Sequence, residues 1–382
     1  MLFDPYILNA DERNRYSRHL LLDEVGDKGQ LKLKQASVLI VGAGGLGVPV
    51  LQYLAAAGVG KIGIVDDDVV EESNLQRQVL YNTSHLGKKK AEVAAKSLFL
   101  LNPNIQYQSF TEKIHSDNAF EIVNDYNIIV DGTDNFPTRY LLNDICVKLE
   151  KSLVSGAINK FEGQVGVYNH LMEDGNRSGT YRCLFPQPPS INDSPDCATI
   201  GVMGVVPGLI GMMMATEIVK MITGVGKLLV NQLLLIDLIE NSYRNLSFHR
   251  DEKAAAKIKN EPLASSADYI NFCTTNEVTS YDIHEISSKE LKRRIKAKED
   301  FQLIDVREPS EHQLINIGGE LMPMNDIFFH THKINKQKPV VLYCKVGERS
   351  EWVIRQLQDK YGFNNLYNLR GGMRAFLAED KN

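Results

Sequence analysis

The sequence predicts an α/β fold: a doubly wound, mostly parallel sheet followed by a second, smaller α/β unit. Three observations carry the prediction. Short apolar runs alternate with longer helical patterns from residue 38 to about residue 170, as expected of a sheet covered by helices on both faces. The first run, Val38-Leu39-Ile40-Val41, breaks directly into Gly42-Ala43-Gly44-Gly45-Leu46-Gly47, the strand-to-helix turn of nucleotide-binding βαβ units. A fresh strand-and-helix pattern then starts beyond a charged stretch near residue 270.

In chain order, residues 15–22 have a helical pattern that leads into a polar, glycine-containing connection. The run at Val38 reads as a buried parallel strand, and an apolar helix follows to about Gly58. The second strand, Ile62-Gly63-Ile64-Val65, delivers Asp66, Asp67 and Asp68 at its carboxyl end. Gly87-Lys88-Lys89-Lys90 starts another helix through Ala91, Ala94, Ala95 and Leu98. Residues 105–110 read as a third strand and 126–131 as a fourth, ending in Gly132-Thr133-Asp134-Asn135. A helix over about 138–149 precedes strands at 153–157 and 163–168. Residues 171–199 turn irregular, with Pro186, Pro188, Pro189 and Pro195, the mark of a long surface crossing. A Gly- and Met-rich helix, with strands near 232–237 and 243–248, completes a first domain of residues 1–250. Residues 251–280, charged and Ala/Ser-containing, read as a linker, and 281–382 as the second domain. There 301–307 and 339–343 are strands, the latter running into Cys344-Lys345-Val346-Gly347-Glu348-Arg349-Ser350 and a helix.

Whole-chain properties narrow the function classes. A length of 382 residues suggests two or three domains, each with its own core. A net charge of −5 leaves no general basic footprint, so nucleic acid is not an expected partner. Met1-Leu2-Phe3-Asp4-Pro5 lacks the basic and apolar regions of a secretory signal. Residues 202–222 approach membrane length, but Pro207, several glycines, Glu217 and Lys220 favour a buried core helix and no membrane. Five scattered cysteines argue against a disulfide framework and for a reducing, cytoplasmic setting.

Ligands of open parallel sheets bind beyond the carboxyl ends of the strands. Gly42, Gly44, Gly45 and Gly47 would let backbone N–H groups approach phosphate oxygens there. Asp66 lies where an acid can take ribose hydroxyls. Asn74-Leu75-Gln76-Arg77-Gln78 places a buried-type arginine just past the second strand. Hydride transfer to a neutral nicotinamide has no use for that cation, but a triphosphate does. Arg77 and Lys90 would neutralise β- and γ-phosphates and so improve pyrophosphate as a leaving group, with Lys88 and Lys89 competing for the role of Lys90. Asp134 would hold Mg²⁺ together with water and phosphate oxygens, or else cap the helix that follows. No Gly-x-x-x-x-Gly-Lys-Ser/Thr run is present, so this is not a P-loop enzyme.

Arg15-Tyr16-Ser17-Arg18, the glycine loop, Asp66-x-Asp68, Asn74-Leu75-Gln76-Arg77-Gln78, Thr133-Asp134-Asn135 and Gly156-Ala157…Glu162-Gly163 resemble the ubiquitin-activating superfamily. Within it the likeness is to bacterial molybdopterin-synthase and thiamine-biosynthesis adenylyltransferases, over about residues 10–250. The resemblance implies a Rossmann-like adenylation domain. It would use MgATP to adenylylate the C-terminal glycine of a ubiquitin-like sulfur-carrier protein ending in Gly-Gly. It also implies that Asp66 takes the ribose, that Arg77 and Lys90 take the phosphates and that Asp134 takes the metal, with Asp68, Asn74 and Asn135 in the same nucleotide site. Arg18 would reach the phosphates of the neighbouring subunit, making a homodimer the active species.

Many members of that family bind structural zinc through two Cys-x-x-Cys pairs. This chain has Thr180-Tyr181-Arg182-Cys183 at the first and Glu252-Lys253-Ala254-Ala255, without cysteine, near the second. One thiol cannot build a four-ligand site, so zinc is not expected, and packing or the dimer interface must replace its contribution, on the order of 10 kcal/mol. Cys197 precedes the Gly-rich helix, where a thiolate is favoured. In some members the matching cysteine forms a covalent link with the activated carrier; a small buried residue is the other reading. Cys146 is expected in the core and Cys273 in the linker.

Cys344 stands at a strand end, in a loop closed by Arg349-Ser350 and a helix. Converging backbone N–H donors in such a loop lower a thiol pKa and can hold an anionic persulfide. Arg349 is five positions after Cys344. With Asp305-Val306-Arg307-Glu308 and Leu369-Arg370-Gly371-Gly372-Met373, this resembles a single-domain rhodanese. Asn316-Ile317-Gly318-Gly319 stands where His-Ile-Pro-Gly is common, and Phe376 where Trp is frequent, departures that bear on packing more than on the loop.

The expected enzyme makes a carrier acyl-adenylate. It then brings sulfur as a Cys344 persulfide, directly or via Cys197, to form a carrier thiocarboxylate, with a cysteine desulfurase as a sulfur donor. Two alternatives remain at this point: an NAD-dependent oxidoreductase fused to a rhodanese domain, and a non-catalytic carrier-docking scaffold. The pathway served, whether molybdopterin or thiamine biosynthesis or tRNA thiolation, has no motif because a docking surface is not one.

Overall fold

β1 (Ser37–Val41) stands at the centre of the first sheet, and its alternation explains why: Val38 and Ile40 enter one apolar core, Leu39 and Val41 another on the opposite face. β2 (Lys61–Val65), β3 (Gln106–Phe110), β4 (Ile128–Asp131) and β5 (Ser152–Asn159) run parallel to it. β6 (Glu162–Tyr168), β7 (Gln232–Asp237) and β8 (Ser242–Ser247) extend the sheet antiparallel, in the order β3-β2-β1-β4-β5-β6-β7-β8. Strand order reverses between β1 and β4, where Val41 lies opposite both Val65 and Asp131. The turns after β1 and β4 therefore face each other across the crevice where such sheets take ligands. The computed structural model from which this is read describes residues 6–188, 201–274, 283–324 and 326–378.

The apolar Val205–Thr223 helix, long enough by composition to cross a membrane, packs on the sheet as a core helix. Val206, Ile210, Met214 and Ile218 are buried. Glycines make the approach close: a Cβ on Gly211 would meet Pro49 at 2.4 Å, and one on Gly163 would meet Ile210 at 2.2 Å.

The stretch from residue 251 is not the linker its composition suggested. Glu252–Asn260 and Ser266–Thr274 are helices packed on the Phe136–Lys148 helix, and the first compact unit of the chain extends to Thr274. Each helix buries about one apolar anchor, Ala255 and Tyr269, and the Tyr269 hydroxyl donates to Asp144 Oδ2 at 2.8 Å. So sparse an apolar pattern does not stand out in a charged sequence. Cys273 lies in the second of these helices, against the Tyr140 and Tyr181 core. Cys146 is wholly buried, and burial pushes its thiol up.

Where many members of that family bind zinc, this chain places a single thiol, Cys183, in the first turn of a short helix. Cys183 Sγ accepts the N–H groups of Thr180 and Asp251, at 3.3 and 3.2 Å, and lies 3.2 Å from the Thr180 hydroxyl. The Asp251 carboxylate caps the Glu252–Asn260 helix through the N–H groups of Lys253 and Ala254. These residues do not fit a four-ligand zinc site.

The second unit is built on a parallel sheet of β9 (His284–Ile286), β10 (Gln302–Asp305), β11 (Glu320–Leu321), β12 (Val340–Tyr343) and β13 (Leu366–Leu369). Its order is β11-β10-β12-β13-β9, so the ends of β10 and β12, Asp305 and Tyr343, are neighbours.

Candidate adenylylation and sulfur-transfer sites

The nucleotide crevice is shaped first by glycine sterics. Gly42 has φ +92°, and a Cβ there would stand 2.8 Å from the Gly132 carbonyl oxygen. A Cβ on Gly47 would overlap the Gly42 carbonyl at 1.8 Å. Only glycine lets the loop after β1 close against the turn after β4, and that closeness brings the Asp134 turn to the Gly42–Gly47 loop. Gly45 faces Pro207 and the Arg77 stem, whose Cδ would be 3.5 Å from an added Cβ.

Asp66 Oδ2 accepts the Ala43 N–H at 2.7 Å and Oδ1 the Asp68 N–H at 3.0 Å, leaving a lone pair on each oxygen for ribose hydroxyls. Burial pushes this carboxyl up, opposed by the Lys90 ammonium and the two N–H donors. Among the three lysines, Lys90 is the buried one, with Nζ 2.9 Å from Asp68 Oδ2. Lys89 bonds the Asp67 carbonyl, and Lys88 is exposed. Burial thus sets Lys90 apart from the other two.

Arg77 is half-buried rather than fully buried, and its Nη1 donates to the Ser73 carbonyl at 3.0 Å. Asn74 is buried and uses its Oδ1 on the Glu71 N–H, holding the turn that carries Arg77. Asn135 Oδ1 accepts the Thr138 N–H at 3.0 Å, so the capping role falls to Asn135 and its carbonyl is committed to the helix. Asp134 is exposed, and its carboxylate has no hydrogen bond or ion pair among the described residues. Arg18 is exposed on the Ser17–Leu20 turn. Cys197 lies outside the described residues.

Three further residues lie against this crevice without having been given a role from sequence. Gln78 is buried beside Gly44 with its Oε1 unpartnered. Arg139 is buried behind the Asp134 turn. Gly204, at the start of the Val205–Thr223 helix, is so close to the motif that a Cβ there would stand 2.2 Å from the Gln76 carbonyl oxygen. Of the three, only Gln78 had a sequence signal, as the last residue of the Asn74–Gln78 run.

In the second unit Cys344 follows β12 and is 1% exposed. Its Sγ accepts the Gly347 N–H at 3.2 Å and lies 3.6 Å from Ser350 Oγ, which donates to Asn368 Oδ1 at 2.7 Å. Gly347, at φ +107°, makes the reversal. A Cβ on Gly372 would stand 2.6 Å from the Cys344 carbonyl, and the Met373 N–H donates to that carbonyl at 2.8 Å. This is what the Gly371-Gly372-Met373 motif is for. Arg349 forms a two-bond pair with Glu311, at 2.7 and 2.8 Å, and the pair holds the Glu311 carboxyl below its usual range. Beside the loop, buried Asp305 takes Arg307 Nη2 at 2.6 Å and His312 Nδ1 at 2.8 Å.

A nucleotide crevice lined by a buried lysine, with a strand-end cysteine loop in the same chain, defines a class: an adenylyltransferase joined to a sulfurtransferase. The chain belongs to the ThiF family, which it matches over residues 16–258, and it matches a rhodanese-like domain over residues 287–379. It is 40% identical over 378 residues to the probable adenylyltransferase/sulfurtransferase MoeZ of Mycobacterium tuberculosis, covering 97% of this chain and 94% of the relative. It is 49% identical over 263 residues to the sulfur carrier protein adenylyltransferase of Thermus thermophilus, covering 69% and 97%. The adenylyltransferase and sulfurtransferase MOCS3 of Drosophila yakuba is 37% identical, covering 97% and 84%. Among solved structures, PaaA superposes with TM-score 0.55 at 26% identity, over 65% of this chain and 77% of that one. E. coli MccB with ATP superposes with TM-score 0.54 at 26% identity, over 63% and 73%. The protein is an adenylyltransferase with a sulfurtransferase domain; its family implies ATP use, and the oxidoreductase alternative is set aside.

Gly204→Ala tests the contact made by the core helix. The added methyl must push the Gln76–Arg77 backbone away, and an ångström of displacement at a residue that positions substrate costs about 10²-fold in rate. ATP–pyrophosphate exchange is expected to fall by that order while the helix still packs on the sheet.

Proposed function

We propose that this enzyme adenylylates the C-terminal glycine of a ubiquitin-like sulfur-carrier protein ending in Gly-Gly, using MgATP, and supplies the sulfur that makes it a thiocarboxylate, in molybdopterin or thiamine biosynthesis. The carrier carboxylate attacks the α-phosphorus of ATP. An O–P bond forms, the bond to the β-phosphate oxygen breaks, and pyrophosphate leaves. Lys90 and Arg77 stabilise the charge that develops on the leaving group, and Asp66 orients the ribose. The exposed carboxylate of Asp134 is the kind of hard oxygen donor Mg²⁺ takes, and bound there the ion would neutralise phosphate charge. Positioning and charge do the work, with little left for a general base.

Cys344, loaded as a persulfide, then attacks the acyl carbon and AMP leaves, giving an acyl persulfide. A thiolate, from Cys197 or a small thiol, cleaves the S–S bond. This frees the thiocarboxylate and leaves a disulfide that a second thiol reduces. A cysteine desulfurase is a suitable persulfide source. The active species is a homodimer in the cytoplasm, in which exposed Arg18 of one subunit serves the phosphates of the other.

The observation that carries this reading is the buried Lys90 ammonium 2.9 Å from Asp68, just beyond β2, where a nicotinamide site has no use for a cation. The test is exchange of labelled pyrophosphate into ATP with small carriers ending in Gly-Gly. Exchange should require the carrier and vanish when its terminal glycines are removed. ATP binding without exchange for any such carrier would favour the docking-scaffold reading.

A further inference from the structure

The Phe136–Lys148 helix begins directly after the Asp134 turn and carries in its first turn a buried cation that the reaction above does not use. Arg139 is 5% exposed. Its Nε donates to Asp131 Oδ2 at 2.7 Å, and its Nη2 reaches the carbonyl oxygens of Thr133 and Gly156, each at 3.1 Å. Asp131, fully buried at the end of β4, is already well served. Its Oδ1 takes the Thr133 N–H at 3.0 Å and hydroxyl at 2.6 Å, and its Oδ2 also takes the Ser155 hydroxyl at 2.7 Å. The three oxygens that Arg139 meets at 2.7–3.1 Å thus belong to two segments, the 131–133 turn that precedes Asp134 and β5 at Gly156, and its guanidinium also stands 5.8 Å from the centre of the Tyr181 ring.

Neutralising Asp131 needs one N–H. The second arm of the guanidinium goes further and ties the carbonyl next to Asp134 to the neighbouring strand. We propose that Arg139 is a positioning residue: it fixes the Thr133–Asp134 turn to β5, so that the Asp134 carboxylate stands at one place beside the Gly42–Gly47 loop. The inference rests on the assignment of Asp134 to metal-bound nucleotide. A lysine is one point charge on a flexible stem and cannot span the three acceptors as the planar fork does.

The test uses the full-length enzyme with Arg139→Lys, Ser155→Ala and Asp134→Asn. Three quantities are read: hydrogen exchange at the amides of residues 132–135 without nucleotide, the Mg²⁺ concentration that half-saturates calorimetric binding of a non-hydrolysable ATP analogue, and the kcat and carrier KM of pyrophosphate exchange. Arg139→Lys should quicken amide exchange in the turn, raise the half-saturating Mg²⁺ about 10-fold and lower kcat by about 10–100-fold, with carrier KM unchanged. Ser155→Ala, which keeps the guanidinium but loosens Asp131, should move the same readings about threefold, and it decides the matter if Arg139→Lys does not fold. Native amide exchange and native Mg²⁺ requirement in a folded variant, with Asp134→Asn impaired, would overturn the role of Arg139 alone. A native Mg²⁺ requirement in Asp134→Asn would overturn the assignment of Asp134 and this inference with it.

Discussion

Lys90→Met is expected to lower carrier-dependent pyrophosphate exchange by about 10²–10³-fold while the thermal midpoint barely moves. The split follows from where the ion pair sits. Lys90 is buried, but the side chain of its partner Asp68 is 69% exposed, and a pair with so wet a member contributes little to folding. Its effect on the reaction is different in kind. Without the ammonium, Asp66 and Asp68 present uncompensated negative charge where the proposed reaction binds a triphosphate and releases pyrophosphate. Lys90→Arg should recover part of the rate, because charge is kept and placement is not. Lys89→Met is the control: among the described residues its ammonium bonds the Asp67 carbonyl alone, and near-native exchange is expected. Equal losses at Lys89 and Lys90 would mean that bulk charge, not placement, matters.

Cys344→Ala is expected to abolish carrier thiocarboxylate formation from a persulfide donor, by about 10⁴-fold or more, while carrier adenylylation continues. The Gly347 N–H stands 3.2 Å and the Ser350 hydroxyl 3.6 Å from the sulfur, and alanine removes the atom that would carry the persulfide. Mass spectrometry of the carrier reads the oxygen-to-sulfur exchange, and pyrophosphate exchange reads the first step independently. Thiocarboxylate formed at the native rate by Cys344→Ala with a persulfide donor would remove the second domain from the sulfur path. Free sulfide as donor does not discriminate, because it can attack the acyl-adenylate unaided.

The parts of the site legible in the sequence are those set by local backbone geometry. Gly42 must take a left-handed φ, and Gly47 must tolerate a carbonyl where a Cβ would be, so the loop is written in consecutive residues. The same holds for the acids at the end of β2 and for the cysteine loop after β12. Composition misled where few residues do the anchoring: two helices over 252–274 hang on Ala255, Tyr269 and the Asp144 bond.

By itself, then, the sequence determined the two α/β units, the glycine loop, the placing of Asp66 at the end of β2 and the cysteine loop, because each depends on sterics within a handful of neighbouring residues. Only the tertiary structure decided that Lys90 rather than Lys88 or Lys89 enters the crevice, that Asn135 caps the helix and leaves Asp134 free, that Arg349 is paired with Glu311, and that Arg139 braces the Asp134 turn. The Asn135 cap is made within its own turn, but Lys90, Arg349 and Arg139 meet Asp68, Glu311 and Gly156 at separations of 22, 38 and 17 residues. Such contacts come into being only when separate elements pack.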